Sequence, residues 1–197
     1  MQILEIFKTP VAKFVLNEDL KALAKFSRQW AKNHPSVYIS NKGGYQSHNL
    51  DLKIPELQSL REQTIRCFNE LRAKFFYGVP LTIDNMWLNI NYPDSYNKIH
   101  DHPRCCFASS FYVSVPKNSG NIVFYNENDD IYNFMQQKWI TRYDVYNSST
   151  WTLPVENNVF YVFPAWLKHR VENNNSKKNR ISISINTRER SKNEEEY

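Results

Sequence analysis

The chain has 197 residues and a mass of 23.5 kDa, the size of one ordinary domain, and its 41% hydrophobic and 15% aromatic content builds a core and excludes a disordered chain. The 25 Lys+Arg against 20 Asp+Glu leave a formal charge of +5 that is scattered, with a densest cluster, Lys177 to Arg180, too short for a nucleic-acid-binding stripe. No apolar run is long enough to span a bilayer, the start MQILEIFKTPVAKF lacks the pattern of a secretory leader, and Cys67, Cys105 and Cys106 cannot all pair, so a cytoplasmic protein is expected.

Residues 17–33 set Leu20, Leu23, Ala24, Phe26 and Trp30 at three- and four-residue steps, which predicts an amphipathic helix opened by Asn17 and stopped before His34-Pro35. Gly43 to Leu52 reads as a loop and a short extended piece. A second helix is predicted from about Pro55 to Phe76, striped by Leu57, Leu60, Ile65, Phe68 and Leu71 and ended by Gly78 and Pro80. From residue 81 the chain turns to short runs of Tyr, Val, Ile, Phe and Thr between polar turns, at roughly 82–92, 105–115, 121–126, 138–145, 150–153, 158–163, 169–173 and 180–187. That rhythm predicts a mainly β fold with N-terminal helices, an antiparallel sandwich or barrel covered on one outer face by the helical third. A single domain is expected, with helical support over 1–80, a β core over 81–188 and a charged tail over 189–197.

Chemistry concentrates first at Ile99-His100-Asp101-His102-Pro103. In an extended strand His100 and His102 point one way and Asp101 the other, so two imidazoles can hold adjacent positions on a metal; a solvent-exposed polar turn is the other reading. A third histidine, His169, opens a strand after the turn at Pro164, where a structural role competes with a ligand role. Farther on, Arg180 to Asn186 alternate strictly, so Ile181, Ile183 and Ile185 face packed surface while Arg180, Ser182, Ser184 and Asn186 share the other face. Arg180 lies about one hairpin beyond His169, where a guanidinium can grip a carboxylate bidentately and Ser182 can add a donor; a solvated polar face is the alternative.

In this order the residues resemble the double-stranded β-helix Fe(II)- and 2-oxoglutarate-dependent oxygenases. The nearest resemblance is to the 2-oxoglutarate/Fe(II) oxygenases of marine bacteria and phages, carried by Gly43-Gly44-Tyr45-Gln46-Ser47, Trp87-Leu88-Asn89, His100-Asp101-His102-Pro103, Ala108-Ser109-Ser110-Phe111-Tyr112-Val113 and Phe163-Pro164, over about residues 40–187. The resemblance implies a double-stranded β-helix, jelly-roll and cupin-like barrel buttressed by two helices. It implies Fe(II) on His100, His102 and His169, and 2-oxoglutarate with its far carboxylate on Arg180 and further contacts from Ser182, Tyr112 and Asn89. It also implies oxidative decarboxylation of 2-oxoglutarate with dioxygen, coupled to hydroxylation of a small-molecule or peptide substrate. Two features depart from the pattern. His102 stands where most of the superfamily has Asp or Glu, which leaves the metal's double charge uncancelled, and Ala108-Ser109 stands where Ser-Gly is expected.

The rivals are a three-histidine cupin-type metal enzyme that does not use 2-oxoglutarate and a non-catalytic jelly-roll binding module. Trp87, Trp139, Trp151 and Trp166 read as core or rim aromatics, His34 and His48 as structural, and the cysteines not as ligands. Loops 126–139 and 143–151 are expected to flank the pocket mouth. No membrane or nucleic-acid partner is expected, and a homodimer is left open.

Overall fold

The computed structural model describes residues 1, 2, 4, 8–75, 78–127 and 137–191. Helix α1 (Leu20–Asn33) is capped by Asp19, whose Oδ1 accepts from the amides of Lys21 and Ala22, both at 3.0 Å. The expected opener, Asn17, lies outside the helix and donates its amide to Gln63 Oε1 instead. At the other end the His34 ring stacks on Trp30 at 3.9 Å between centroids. Pro55–Leu57 form a 3₁₀ turn that leads into α2 (Gln58–Lys74), so the helix ends earlier than Phe76, which lies outside the described residues.

The strands are β1 (Ala12–Val15), β2 (Asn41–Lys42), β3 (Tyr45–Gln46), β4 (Leu81–Asn91), β5 (Tyr96–His100), β6 (Phe107–Ser114), β7 (Ile122–Tyr125), β8 (Thr150–Leu153), β9 (Val159–Pro164), β10 (His169–Val171) and β11 (Arg180–Glu189). They form two antiparallel sheets ordered β1-β9-β6-β11-β4-β3 and β2-β5-β10-β7-β8. No ladder joins the sheets among the described residues, so the expected barrel is an open two-sheet jelly roll.

The expected strand at 138–145 is a correction. Gln137–Trp139 form a 3₁₀ turn, and the following segment makes turns in which Asp144 Oδ1 accepts from the Tyr146 amide and Asn147 Oδ1 from the Asp144 amide. These side chains give the backbone a local alternative to a sheet ladder. The tail from 192 onward, and 128–136 of the expected mouth loop, lie outside the described residues.

Two cores follow from the alternation of the long strands. Ile181, Ile183 and Ile185 of β11, Leu88 of β4 and Phe111 of β6 are fully buried against Leu57, Leu60 and Phe68 of the helical layer. The opposite face of the same sheet turns Tyr112, Tyr161 and Phe163 toward Ile122 and Phe124 of the second sheet. The first 80 residues also complete the sheets, since β1 pairs with β9, β2 with β5 and β3 with β4.

Candidate active site

Backbone pairing assembles the three histidines. His169 of β10 lies directly across from His100 of β5, and residues directly opposite in an antiparallel pair share a face. His102 falls just beyond the end of β5, where its amide donates to Ala165 O at 2.9 Å and ties it to the turn that precedes His169. The ligand-capable nitrogens of the three rings lie within 4.8 Å of one another, and His102 Nε2 is 3.4 Å from His169 Nε2. Among the described residues this is the group of histidine, cysteine and acidic side chains able to hold a metal, and neither Cys105 nor Cys106 takes part.

Hydrogen bonds to backbone carbonyls set the tautomers. His100 Nδ1 lies 2.8 Å from Lys98 O and His169 Nδ1 lies 3.0 Å from Leu167 O. A carbonyl only accepts, so each Nδ1 carries the hydrogen and each Nε2 keeps its lone pair for the interior. Burial holds all three imidazoles below the ordinary histidine range, His102 at about 3 with a further push from His100, and His169 well below it with pushes from His100 and His102. At neutral pH the cluster therefore offers three uncharged donors with free lone pairs, the form in which imidazole binds a transition metal.

The histidines line a small cavity of about 30 Å³ shared with Trp87, Asn89, Asn97, Ser110, Ser182 and Ser184. The predicted Ser182 and Asn89 are here, paired across β11 and β4. Trp87 and Ser184 form the next pair toward the histidines, and sequence reasoning left them out of the site. Their signal was the period-two alternation that already placed Asn89 and Ser182, because Trp87 and Ser184 share those faces. Trp87 lies 5.6 Å from His102 between ring centroids, and among the described residues its indole N–H is buried without a partner, as are the Asn89 Oδ1 and the Tyr112 hydroxyl.

Tyr112 and Arg180 sit outside the lining of this cavity. Tyr112 pairs with Ser182 across β6 and β11 and is buried, which pushes its hydroxyl up to about 12 against the opposing pull of Arg180. Arg180 is 1% exposed, and among the described residues no carboxylate lies within ion-pairing distance of it. Its Nη1 donates to the carbonyls of Ser119, Gly120 and Glu172. Burial brings its pKa down to about 10, opposed by Tyr112 and Glu172. A buried cation served only by carbonyls keeps its full charge and is unfavourable unless an anion joins it.

A family model described as "Putative 2OG-Fe(II) oxygenase" matches residues 85–186, just over half of the chain and every strand from β4 to most of β11. The chain belongs to the 2OG-Fe(II) oxygenases. It is an oxidoreductase of the dioxygenase type whose cofactors are Fe(II) and 2-oxoglutarate. No curated protein matches it in sequence. Among solved structures it is similar to a prolyl-4-hydroxylase of Pseudomonas putida (14% identity, TM-score 0.64, 93% of this chain and 94% of that one). It is also similar to the viral collagen prolyl hydroxylase of Paramecium Bursaria Chlorella virus-1 in its 2OG complex (10%, 0.61, 90% and 94%). A third similar structure is HygX of Streptomyces hygroscopicus with nickel and 2-oxoglutarate bound (11%, 0.63, 92% and 83%). At these identities the likeness is one of fold.

Proposed function

We propose that this oxygenase holds Fe(II) on the Nε2 atoms of His100, His102 and His169 and hydroxylates a C–H bond of a small-molecule or peptide substrate. The observation that carries the assignment is the convergence of three neutral imidazoles within 4.8 Å in a chain of this family. Fe(II) with 2-oxoglutarate supplies the oxidative decarboxylation to succinate and CO₂ that makes dioxygen able to hydroxylate.

The chain's own residues bind and orient. Lys98 and Leu167 carbonyls hold two rings in the ligand tautomer, and Phe163, 4.6 Å from His169 between centroids, helps exclude water from that ring. The cluster contains no carboxylate, so the charge on the metal and on Arg180 is left for a dianionic cosubstrate to meet. Arg180 takes the 5-carboxylate of 2-oxoglutarate, and Tyr112, Ser182 and Asn89 supply hydrogen bonds along it. The Tyr112 hydroxyl, a donor buried without a partner among the described residues, supports its role, because buried polar atoms without partners are uncommon in native proteins.

The substrate approaches past Trp151. This residue lies opposite Phe124, which lies opposite His169, so His100, His169, Phe124 and Trp151 form one row across the inner face of the second sheet. Trp151 ends the row at the edge strand and is 45% exposed. The division into support (1–80), catalytic core (81–188) and tail (189–197) belongs to the same reading. So does a cytoplasmic setting, which the three free cysteines favour. No described helix is long and apolar enough to cross a membrane.

The test is anaerobic titration of Fe(II)-loaded protein with 2-oxoglutarate, followed by succinate detection in air. Binding that is absent from wild type, or undiminished in Arg180→Ala, overturns the assignment.

A further inference from the structure

The guanidinium of Arg180 is aimed by backbone. Its Nη1 donates to Ser119 O, to Gly120 O at 3.2 Å and to Glu172 O at 3.4 Å, and Nη2 reaches Glu172 O at 3.5 Å. Nε makes no hydrogen bond among the described residues. Ser119 and Gly120 belong to the turn between β6 and β7, about 60 residues away in sequence, and Glu172 follows β10 directly. A flexible arginine side chain tethered through both terminal nitrogens in this way has most of its rotamer freedom removed before any ligand arrives.

The turn that does this is built on a residue without a side chain. Gly120 has φ +81°, a left-handed conformation that only glycine adopts freely. A Cβ placed on it would lie 2.6 Å from Asn173 O and 2.7 Å from Glu172 O, both rigid backbone atoms. The close approach is locked from both sides, since the Asn121 amide donates to Glu172 Oε2 at 3.0 Å and the Glu172 amide to Asn121 O at 2.9 Å. Any residue other than glycine at 120 therefore pushes the β6–β7 turn away from the segment after β10, and the carbonyls that hold Arg180 move with it.

We propose that the Ser119-Gly120 turn and the Glu172 strap form a positioning device that holds Arg180 for the 5-carboxylate of 2-oxoglutarate, with Gly120 and Glu172 as positioning residues that never touch the ligand. The proposal rests on the assignment of Arg180 made above. It goes beyond it by locating part of the cosubstrate affinity in the turn that carries the chain from β6 in one sheet to β7 in the other. The Glu172 side chain holds the turn through its acceptor oxygen on the Asn121 amide; its charge, which also acts on Arg180, repels an incoming carboxylate, so loss of that charge alone does not weaken 2-oxoglutarate binding.

The probes are 2-oxoglutarate and 2-oxobutyrate, which share the 2-oxo acid end while only the former has the far carboxylate. Their dissociation constants are measured by calorimetry on Mn(II)-loaded full-length protein. A displaced guanidinium loses charge-assisted hydrogen bonds, which corresponds to a weakening of about 10-fold to 100-fold. Gly120→Ala is expected to show that loss for 2-oxoglutarate and none for 2-oxobutyrate. Glu172→Ala is expected to show a smaller loss of the same kind, and Glu172→Gln, which keeps an acceptor oxygen, to restore wild-type affinity. Arg180→Ala separates the two levels of the reading. If it binds 2-oxoglutarate as wild type does, the assignment of Arg180 falls and the device with it. If Arg180→Ala is weak but Gly120→Ala and Glu172→Ala bind normally, the device alone is overturned. Equal weakening of both probes, or failure of Glu172→Gln to restore binding, also overturns it. Where Gly120→Ala does not fold, the Glu172 pair decides.

Discussion

Both faces of β11 are largely buried, and they are chemically opposite. Ile181, Ile183 and Ile185 have no exposure and pack against the helical layer in a mainly apolar core. Arg180, Ser182, Ser184 and Asn186 face the second sheet, where Trp87 Nε1, Asn89 Oδ1, Tyr112 Oη and Asn186 Oδ1 are buried without partners. The difference teaches that burial alone does not separate a core from a site. Among the described residues the apolar face leaves the Tyr45 hydroxyl as the orphaned polar atom of its core, while the polar face gathers four on and beside one cavity wall, the pattern of a surface kept for a ligand.

The largest effect expected on the polar face comes from His169→Ala. It removes one of three donors and the ring that the other two approach, at 4.4 Å from His100 and 5.2 Å from His102 between centroids. Stoichiometric Fe(II) or Mn(II) binding should disappear in calorimetry, with the fold retained by circular dichroism. Retention of tight one-to-one binding would mean that the cluster is not the metal centre.

Next in size is Ile183→Ala on the apolar face, expected to cost about 3 kcal/mol in denaturant unfolding because a cavity opens in a fully packed layer. The molecules that remain folded should bind metal and 2-oxoglutarate as before. A change in ligand affinity comparable to the loss of stability would erase the distinction between the faces.

The alternation that distinguishes these faces was legible from Arg180 to Asn186 alone, because a strict period of two leaves no choice of register. His100, His102 and His169 were legible as candidates for the same reason that β5 was not. Tyr96–His100 has no alternating apolar residues of its own, and it is a strand because β10 lies across from it on one side and β2 on the other. β2 and β3 have two residues each, too short for any period to show. The 138–145 run failed in the opposite sense, having β-forming residues but Asp144 and Asn147 to turn the backbone on itself. Trp87 was read as an ordinary aromatic because a sequence does not say whether an indole N–H finds a partner. The tether on Arg180 was out of reach, since its acceptors are backbone carbonyls that every residue possesses.

Trp87→Phe is the smallest change and the most discriminating. The indole N–H lies at the cavity beside His102, and an orphaned buried donor costs about 1–3 kcal/mol. Phenylalanine removes that donor while giving up some packed area, so the stability of the ligand-free protein should stay within about 1 kcal/mol of wild type. If the donor is reserved for a ligand oxygen, the gain in melting temperature produced by saturating Mn(II) and 2-oxoglutarate should be smaller in Trp87→Phe than in wild type, because ligand-linked stabilisation follows affinity. An identical ligand-induced shift in both proteins would place the indole N–H outside the reaction chamber. The cavity wall at Trp87 would then belong with the isoleucine face as packing, and the polar face would shrink to Asn89, Tyr112 and the residues of β11.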